Sequence, residues 1–578
     1  MNRVQLQPLF SFLIACFVLF LASGWGVEVK ACGSKTVIKV DSQSDFDNIG
    51  SDLLNLISDG SKNIVVEFAK GEYYYKNQHI FWVEKHYPEV SISFKGNDAT
   101  IFSAGKDLLK GGQGVKYIEG AGFIDAEGKD FQNFSSMFQS DAMVEILDEG
   151  TKQCRIHCLE LEGLGRVDCT NSRIRLTSWY TSFLYPVTRI SNGYVYFTAE
   201  NLTPGLAPYG NYNVNYDYTV GKFFPRFRLI NALVGGCEVV STITGLVNKS
   251  SVDVIHQCEA SHFIYLINCK LKKLTIEGFS IIGCRADSQM IRFKNLEVES
   301  LILRNSMFSA ARGIVFYAES TDNIKVERCI FHDNYQDVLC LSNSCANAVI
   351  QNNEFYNNGK GVRNSFCIIC RGGNYKIRHN ELRNFNYGAI GVGVWYKSSK
   401  GSLPSYGVVE CNHIYFTPDY AKDKSNWTLV DSGAIYLWSK NDGAIIRNNF
   451  IHDYEGMGSN RGIYCDDGTC NCSVYGNIIL NVKGYSIDLR RSLTLDKLDL
   501  GLKSNINNHI FGNSFNSRFR FQGRIDDTTS IKGGNIILVE DESSMPIIIE
   551  DNLVKESEDH TLKYDHQKWY RKGQRLIR

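Results

Sequence analysis

Ile446-Arg447-Asn448-Asn449-Phe450-Ile451-His452-Asp453 is answered by Val474-Tyr475-Gly476-Asn477-Ile478-Ile479-Leu480, and 28 residues separate Asn449 from Asn477. A short apolar strand, a corner and an asparagine recur at Leu303-Arg304-Asn305, Ile350-Gln351-Asn352-Asn353, Ile377-Arg378-His379-Asn380 and Val409-Glu410-Cys411-Asn412. Further copies stand at Ile510-Phe511-Gly512-Asn513 and Ile549-Glu550-Asp551-Asn552. A step of 27 residues, as from Asn353 to Asn380, is one coil of a solenoid with its loops. Asparagine suits such a column, since it tolerates a left-handed corner and its amide bonds to the copies above and below. The expected fold is all-β, a right-handed parallel β-helix, with the asparagine column structural rather than catalytic.

A second strand in each coil shows which side chains leave the core. In Gly433-Ala434-Ile435-Tyr436-Leu437-Trp438, Gly462-Ile463-Tyr464-Cys465-Asp466 and Ser486-Ile487-Asp488-Leu489-Arg490, the apolar alternates face inward. Two outer columns result: Tyr436, Tyr464, Asp488, and Trp438, Asp466, Arg490. Gly393-Val394-Trp395 and Ile369-Cys370-Arg371 extend the second column to Trp395 and Arg371. Successive members lie about 4.8 Å apart. Flat aromatic rings, carboxylates and guanidinium groups in equal steps suit a sugar polymer. Strands favour Tyr and Trp everywhere, and Arg beside Asp is often a plain surface pair; exposed Trp with Asp beside it in adjacent coils tips the balance to function.

Composition agrees. Of 578 residues, 43% are hydrophobic and 21% charged, enough for a large core. Lys+Arg and Asp+Glu both total 62, so nothing recommends nucleic acid as partner. Nine prolines against 50 glycines favour short strands broken by turns.

Residues 1–24 read as a signal peptide: Arg3, then an apolar stretch from Leu9 to Ala22, then Ser23 and Gly24. The stretch is shorter than the roughly 20 residues of a membrane span, and no later segment qualifies. An exported protein, periplasmic, cell-surface or extracellular, with no membrane span, is expected. Cys32 follows a lysine at position 30, which makes a poor lipid-attachment site. Most of the 18 cysteines lie in apolar runs and read as buried hydrophobes; Cys154 with Cys158, and the Cys465, Cys470, Cys472 group, are the best candidates for a bridge. No spacing completes a four-ligand zinc site.

The run Asp431-Ser432-Gly433-Ala434-Ile435-Tyr436, with Ile446 to Asp453, Gly462-Ile463-Tyr464-Cys465-Asp466-Asp467-Gly468 and Val474 to Asn477, resembles the pectin-lyase-like β-helix enzymes that degrade polysaccharides. Within them it is most similar to the glycoside hydrolases typified by family 141, fucosidases and xylanases. Residues 36–110, with Phe68-Ala69-Lys70-Gly71-Glu72-Tyr73 and Ser93-Phe94-Lys95-Gly96, look like the opening strands and capping helix of such proteins. Residues 111–265, including Trp179-Tyr180-Thr181 and Gly193-Tyr194-Val195-Tyr196-Phe197, look like their β-rich insertion, departing at Gly235-Gly236-Cys237 where relatives carry Gly-Glu-Trp. Residues 266–557 are then the main coil and 558–578 a basic tail.

Glycosidic hydrolysis needs one carboxyl to protonate the leaving oxygen and a second to activate water or attack the sugar, roughly 5 to 9.5 Å apart. Asp466 and Asp488, in neighbouring coils and offset by two residues, fall about 8 Å apart on strand spacings. Asp467 rivals them, and doubles as a turn residue before Gly468; Asp431 lies across a corner. Of two adjacent aspartates, one is raised by its neighbour and serves as acid. Tyr436, Tyr464, Trp438, Trp395, Arg490, Arg371 and His452 are the substrate-binding candidates. His452-Asp453 is mirrored by His332-Asp333 in an earlier coil, which argues for a structural role. Excursions at Ser398 to Gly407 and Tyr420 to Asp431 are expected to wall the cleft.

The sequence therefore predicts a polysaccharide- or oligosaccharide-active glycoside hydrolase, monomeric and without a metal or cofactor, calcium left open. Two other classes compete. A lyase or uronate epimerase would use Arg371, Arg490 and His452 as charge neutraliser and base; a noncatalytic carbohydrate-binding solenoid would need the aromatic residues alone.

Overall fold

The computed structural model describes residues 35–103 apart from 76 and 77, strand segments and tight turns within 116–239, and residues 261–521 apart from breaks, the longest 394–404, 423–431 and 490–507; the strands Ser530–Lys532 and Ile548–Glu550 lie beyond. The signal peptide, the basic tail, Asp431, Asp467, Trp395 and Arg490 lie outside the described residues.

Each coil contributes three strands, as in Gly433–Leu437, Ile445–Arg447 and Phe450–His452, and each strand pairs in parallel with its counterpart in the next coil. The result is a right-handed parallel β-helix with three faces. On the first face Ile435, Ile463 and Ile487 stand opposite one another, as do Leu437, Cys465 and Leu489. All six are buried in the central core, so the alternation read from sequence holds in register. Inside the third face Phe308, Phe331 and Phe355 stack at 5.1 and 4.8 Å, the repeat distance of the coil itself.

The corner between second and third faces explains the recurring asparagines and refines their assignment. Two adjacent positions share the work. Asn352, His379, Cys411 and Asn448 take left-handed φ of 53 to 56°, and glycine does so at 476 and 512. The next residue is the ladder asparagine, its side chain turned inside the corner. Asn449 Nδ2 donates to Asn477 Oδ1 at 2.9 Å and to Val409 O at 3.0 Å, while its Oδ1 accepts from the backbone and the amide of Asn412. The chain of amides runs from Asn353 through Asn380, Asn412, Asn449 and Asn477 to Asn513. In the earliest copy Asn305 is the left-handed corner, and Ser306 fills the ladder position, accepting the Phe279 N–H.

The helix Gln43–Ser58 closes the first coils. Ser42 caps it by accepting the Asp45 N–H, and Phe46, Ile49, Leu53 and Ile57 form its buried stripe at helical spacing. Such a cover spares the apolar end of a solenoid from water. His79 is clamped beneath it, its ring 3.8 Å from Phe46 and 5.6 Å from Phe263, both nearly parallel. Burial pushes its pKa down to about 3. The unfolded chain, with an ordinary histidine near 6.5, therefore takes up the proton first, and stability falls as pH drops from about 6.5 toward 3. The residue as a whole is only partly buried, although its Nε2 is enclosed without a hydrogen-bond partner among the described residues, which sets the penalty at about 1–2 kcal/mol at pH 4.5. Denaturation curves at pH 7 and 4.5 should show that loss, and His79→Phe should remove it.

The coil is entered at Thr36–Val40 and left after His86–Phe102, then resumed at His262–Cys284, which pairs in parallel with Gln78–Val83 and His86–Phe102. Between them lies a six-stranded antiparallel sheet from Val144–Asp148 to Arg226–Ile230. No helix among the described residues is long and apolar enough to cross a membrane. Cys154 and Cys465, expected as possible halves of bridges, are buried thiols, and desolvation likewise pushes the Cys329 and Cys340 thiols up to about 12.

Candidate functional site on the first face

The outer side of the first face carries an apolar cluster of its own, separate from the core: Cys340, Phe366, Ile369, Tyr387, Tyr436 and Tyr464, with Trp438 packed against it. Register builds it. Ile369 faces Gly391, Gly391 faces Tyr436, Tyr436 faces Tyr464, and Tyr464 faces Asp488. Two residues further along each strand the backbone ladder continues from Ser342 through Arg371, Gly393 and Trp438 to Asp466. Arg371, Trp438 and Asp466 thus share one column, as the sequence predicts.

The same register corrects the place of Trp395. Gly393, not Trp395, occupies that column beneath Trp438, because Val392 rather than Val394 sits opposite Leu437. The glycines serve the tryptophan. A Cβ on Gly391 would lie 2.6 Å from the Trp438 ring, so the indole folds back over bare backbone. There it meets Phe366 edge-on at 5.1 Å, while the Arg371 guanidinium stands 5.7 Å from its centroid. Gly391→Ala should expel the indole, shift its fluorescence and weaken glycan affinity about tenfold with the far-ultraviolet spectrum unchanged, if Trp438 is a sugar platform. Unchanged affinity with a shifted spectrum would remove Trp438 from the site.

Asp466 lies at the centre of the polar groups. Tyr436 donates its hydroxyl to Oδ2 at 2.5 Å and Tyr464 donates to Oδ1 at 3.0 Å, the two rings meeting edge to face at 4.7 Å. Both oxygens act as acceptors, the role of an ionised carboxylate. Its backbone is fixed as well, by its N–H to Leu437 O and its carbonyl to the Thr469 hydroxyl.

Asp488 sits in the neighbouring coil but is engaged differently. Arg461 Nε donates to its Oδ2, with Arg461 3% and Asp488 0% exposed, and the guanidinium lies 4.1 Å over the Tyr464 ring. The expected open wall is closed at this end, where Tyr436, Tyr464, Asp466 and Asp488 all point away from the core yet are buried. Arg461 was not legible as a site residue, since strict alternation places it inward with Ile463. Its guanidinium reaches Asp488 and the Tyr464 ring on the outer side instead. Gly462 is the signal, for a Cβ there would meet the core residue Ile479 and Ser486 at 2.6 Å although its neighbour Ile463 also faces the core, so the alternation is interrupted at this glycine.

Asp337 is a second residue the sequence concealed. It precedes the strand Leu339–Leu341, accepts the Phe366 N–H at 2.8 Å, and is pushed up to about 6 by burial despite the backbone hydrogen bond and Arg371 nearby. Four coils separate it from Asp466, about 19 Å, too far to share one glycosidic bond.

His452 belongs to another face. It lies in Phe450–His452 on the third face, opposite Tyr415, with Nδ1 2.7 Å from Asp453 Oδ2 and Nε2 2.8 Å from His413 Nε2. His332 repeats the bond to Asp333 at 2.7 Å, so the repeated motif is a structural one and His452 is not brought to Asp466. Of the two excursions, Ser405 is buried against Gly372 O and Tyr420 is buried with its hydroxyl on Phe385 O. These two residues brace the coil rather than wall a cleft. Among the described residues no group of three His, Cys, Asp or Glu could hold a metal ion.

Residues 232–382 match the sequence family described as the right handed beta helix region. No curated protein matches the chain by sequence. Among solved structures, one described as a glycoside hydrolase aligns over 89% of this chain and 96% of its own at 9% identity, with a TM-score of 0.42. The complex of XylC with xylose aligns over 90% and 86% at 8% identity and 0.39. A mannuronic acid specific polysaccharide family 6 lyase from human gut microbiota covers 48% of this chain and 76% of its own at 14% identity and 0.23. Similarities of this size say nothing about activity.

Proposed function

We propose that this chain is an exported polysaccharide-active enzyme, a glycoside hydrolase whose working carboxylate is Asp466. The observation that carries this reading is the clamp of two tyrosine hydroxyls on Asp466, beside Trp438, on the outer wall of a coil with equal steps. A carboxylate fixed through both oxygens is held in one orientation, as a nucleophile or a base aimed at water must be. Asp488 is tied to Arg461 and serves as a buried counter-charge that positions Tyr464 through the guanidinium above it. The proton donor is then Asp467 or Asp431. Neither step calls for a metal, and a chelator is expected to leave turnover unchanged.

Arg371 above Trp438 favours one second reading, a lyase that neutralises a uronate carboxylate there. Incubation with neutral and uronic glycans separates the two. A hydrolase releases reducing ends without new ultraviolet absorbance, whereas unsaturated, absorbing products from uronic glycans alone would replace the hydrolase by the lyase.

A further inference from the structure

The wall that holds Asp466 extends well beyond it. From Tyr436 the same outer column runs back through Gly391, Ile369, Cys340, Tyr317, Arg292 and Tyr265 to Phe81. Seven steps make about 34 Å along the coil axis. The character changes on the way. Tyr436 is buried, whereas Phe81 is 45% exposed and Tyr265, Arg292 and Tyr317 are partly open. Phe81 and Tyr265 stand 5.4 Å apart, and the Arg292 guanidinium lies between two rings, 4.8 Å from Tyr265 and 5.7 Å from Tyr317.

Charge on this wall is one-sided at two points. Neither Arg292 nor Arg371 has a carboxylate in salt-bridge reach among the described residues. Arg292 donates through Nη1 to Gln289 at 3.3 Å, and its Nε is buried without an acceptor among the described residues. The acids nearby are otherwise occupied: Glu319 stands 4.0 Å from Lys294, and Asp337 holds the Phe366 N–H. A guanidinium sandwiched by two rings is fixed in orientation and poorly hydrated, which favours recognition of an anionic oxygen group. Three coils, about 14 Å, separate the two arginines along the axis.

We infer that this wall binds an acidic polysaccharide, bearing carboxylate or sulfate groups, laid along the coil axis with its charges at Arg292 and Arg371 and its rings along Phe81, Tyr265 and Tyr317. The inference rests on the reading of the first face as a glycan site and adds the charge class of the glycan.

Full-length protein carrying Asp466→Asn is titrated with polygalacturonic acid against its methyl ester, and with dextran sulfate against dextran. At least one acidic polymer should bind tenfold or more tightly than its neutral counterpart, with affinity falling as salt rises; which one binds identifies carboxylate or sulfate. Arg292→Gln with Arg371→Gln should abolish that preference, and Arg292→Lys with Arg371→Lys, which keeps the charge but not the stacked planar fork, should keep only part of it at an unchanged melting temperature. Equal binding of acidic and neutral polymers, or a preference that survives the double glutamine variant, overturns the inference. Turnover that persists in Asp466→Asn would instead overturn the hydrolase reading, and leaves the charge preference to stand on the binding data.

Discussion

Asp466→Asn is expected to cut turnover by about a thousandfold while leaving glycan affinity within a few fold, the scale for removing a positioned catalytic carboxylate. The substitution is nearly isosteric: one tyrosine hydroxyl keeps its acceptor in the amide oxygen and the other can turn its oxygen to accept from the amide NH2, so the wall should stay folded. Tyr436→Phe supplies the graded comparison. It leaves the carboxylate but removes the 2.5 Å hydrogen bond, and should cost about tenfold in kcat with little change in KM if that bond orients Asp466. Reducing-end assays on any glycan the protein degrades, with both variants checked by thermal melting, decide the matter. Full activity in Asp466→Asn would move the chemistry elsewhere on the wall.

Asn449→Ala should destabilise the coil by about 3–5 kcal/mol, the largest stability effect expected from a single small substitution in this fold. The amide donates to Val409 O, Arg447 O and Asn477 Oδ1 and accepts from the backbone and side chain of Asn412. Each buried group left without a partner costs about 1–3 kcal/mol, softened where the corner relaxes. Its neighbour makes the control. Asn448 holds the left-handed φ of 54° but not the inward ladder, so Asn448→Ala should cost about 1 kcal/mol from backbone strain alone. Urea midpoints of the two variants would settle which position carries the corner; equal losses would refute the division of labour.

The fold was legible because a solenoid writes its rule many times. Ile435, Ile463 and Ile487 fall in register by simple alternation, and the ladder asparagines announce each corner. The site was legible only in part, and the reasons are local. Placing Trp395 in the Trp438 column required counting strand residues across a coil whose loop length is not fixed by pattern, and Gly391 and Gly393 show their purpose only once the indole is seen lying on them. Arg461 hid behind its parity, since Gly462 and Ile463 both face the core and the interrupted alternation leaves Arg461 on the outer side. Asp337 and Arg292 hid in plain strand and turn contexts, where an acid or a base reads as surface until burial and neighbours are known. Asp488 was correctly turned outward, but no pattern in the sequence pairs it with Arg461.

The resumption of the coil at His262 has a consequence for how the molecule is made. Cys269 Sγ meets Trp82 O across 187 positions of sequence, so the early strands wait for partners that lie far downstream. At the 5–20 residues per second of translation, the intervening roughly 160 residues take about 10–30 s to emerge. During that interval the nascent edge at Gln78–Val83 and His86–Phe102 offers unpaired amides and carbonyls to any passing strand. Ribosome-bound chains halted before residue 262 should therefore be markedly more prone to self-association than those halted after residue 304.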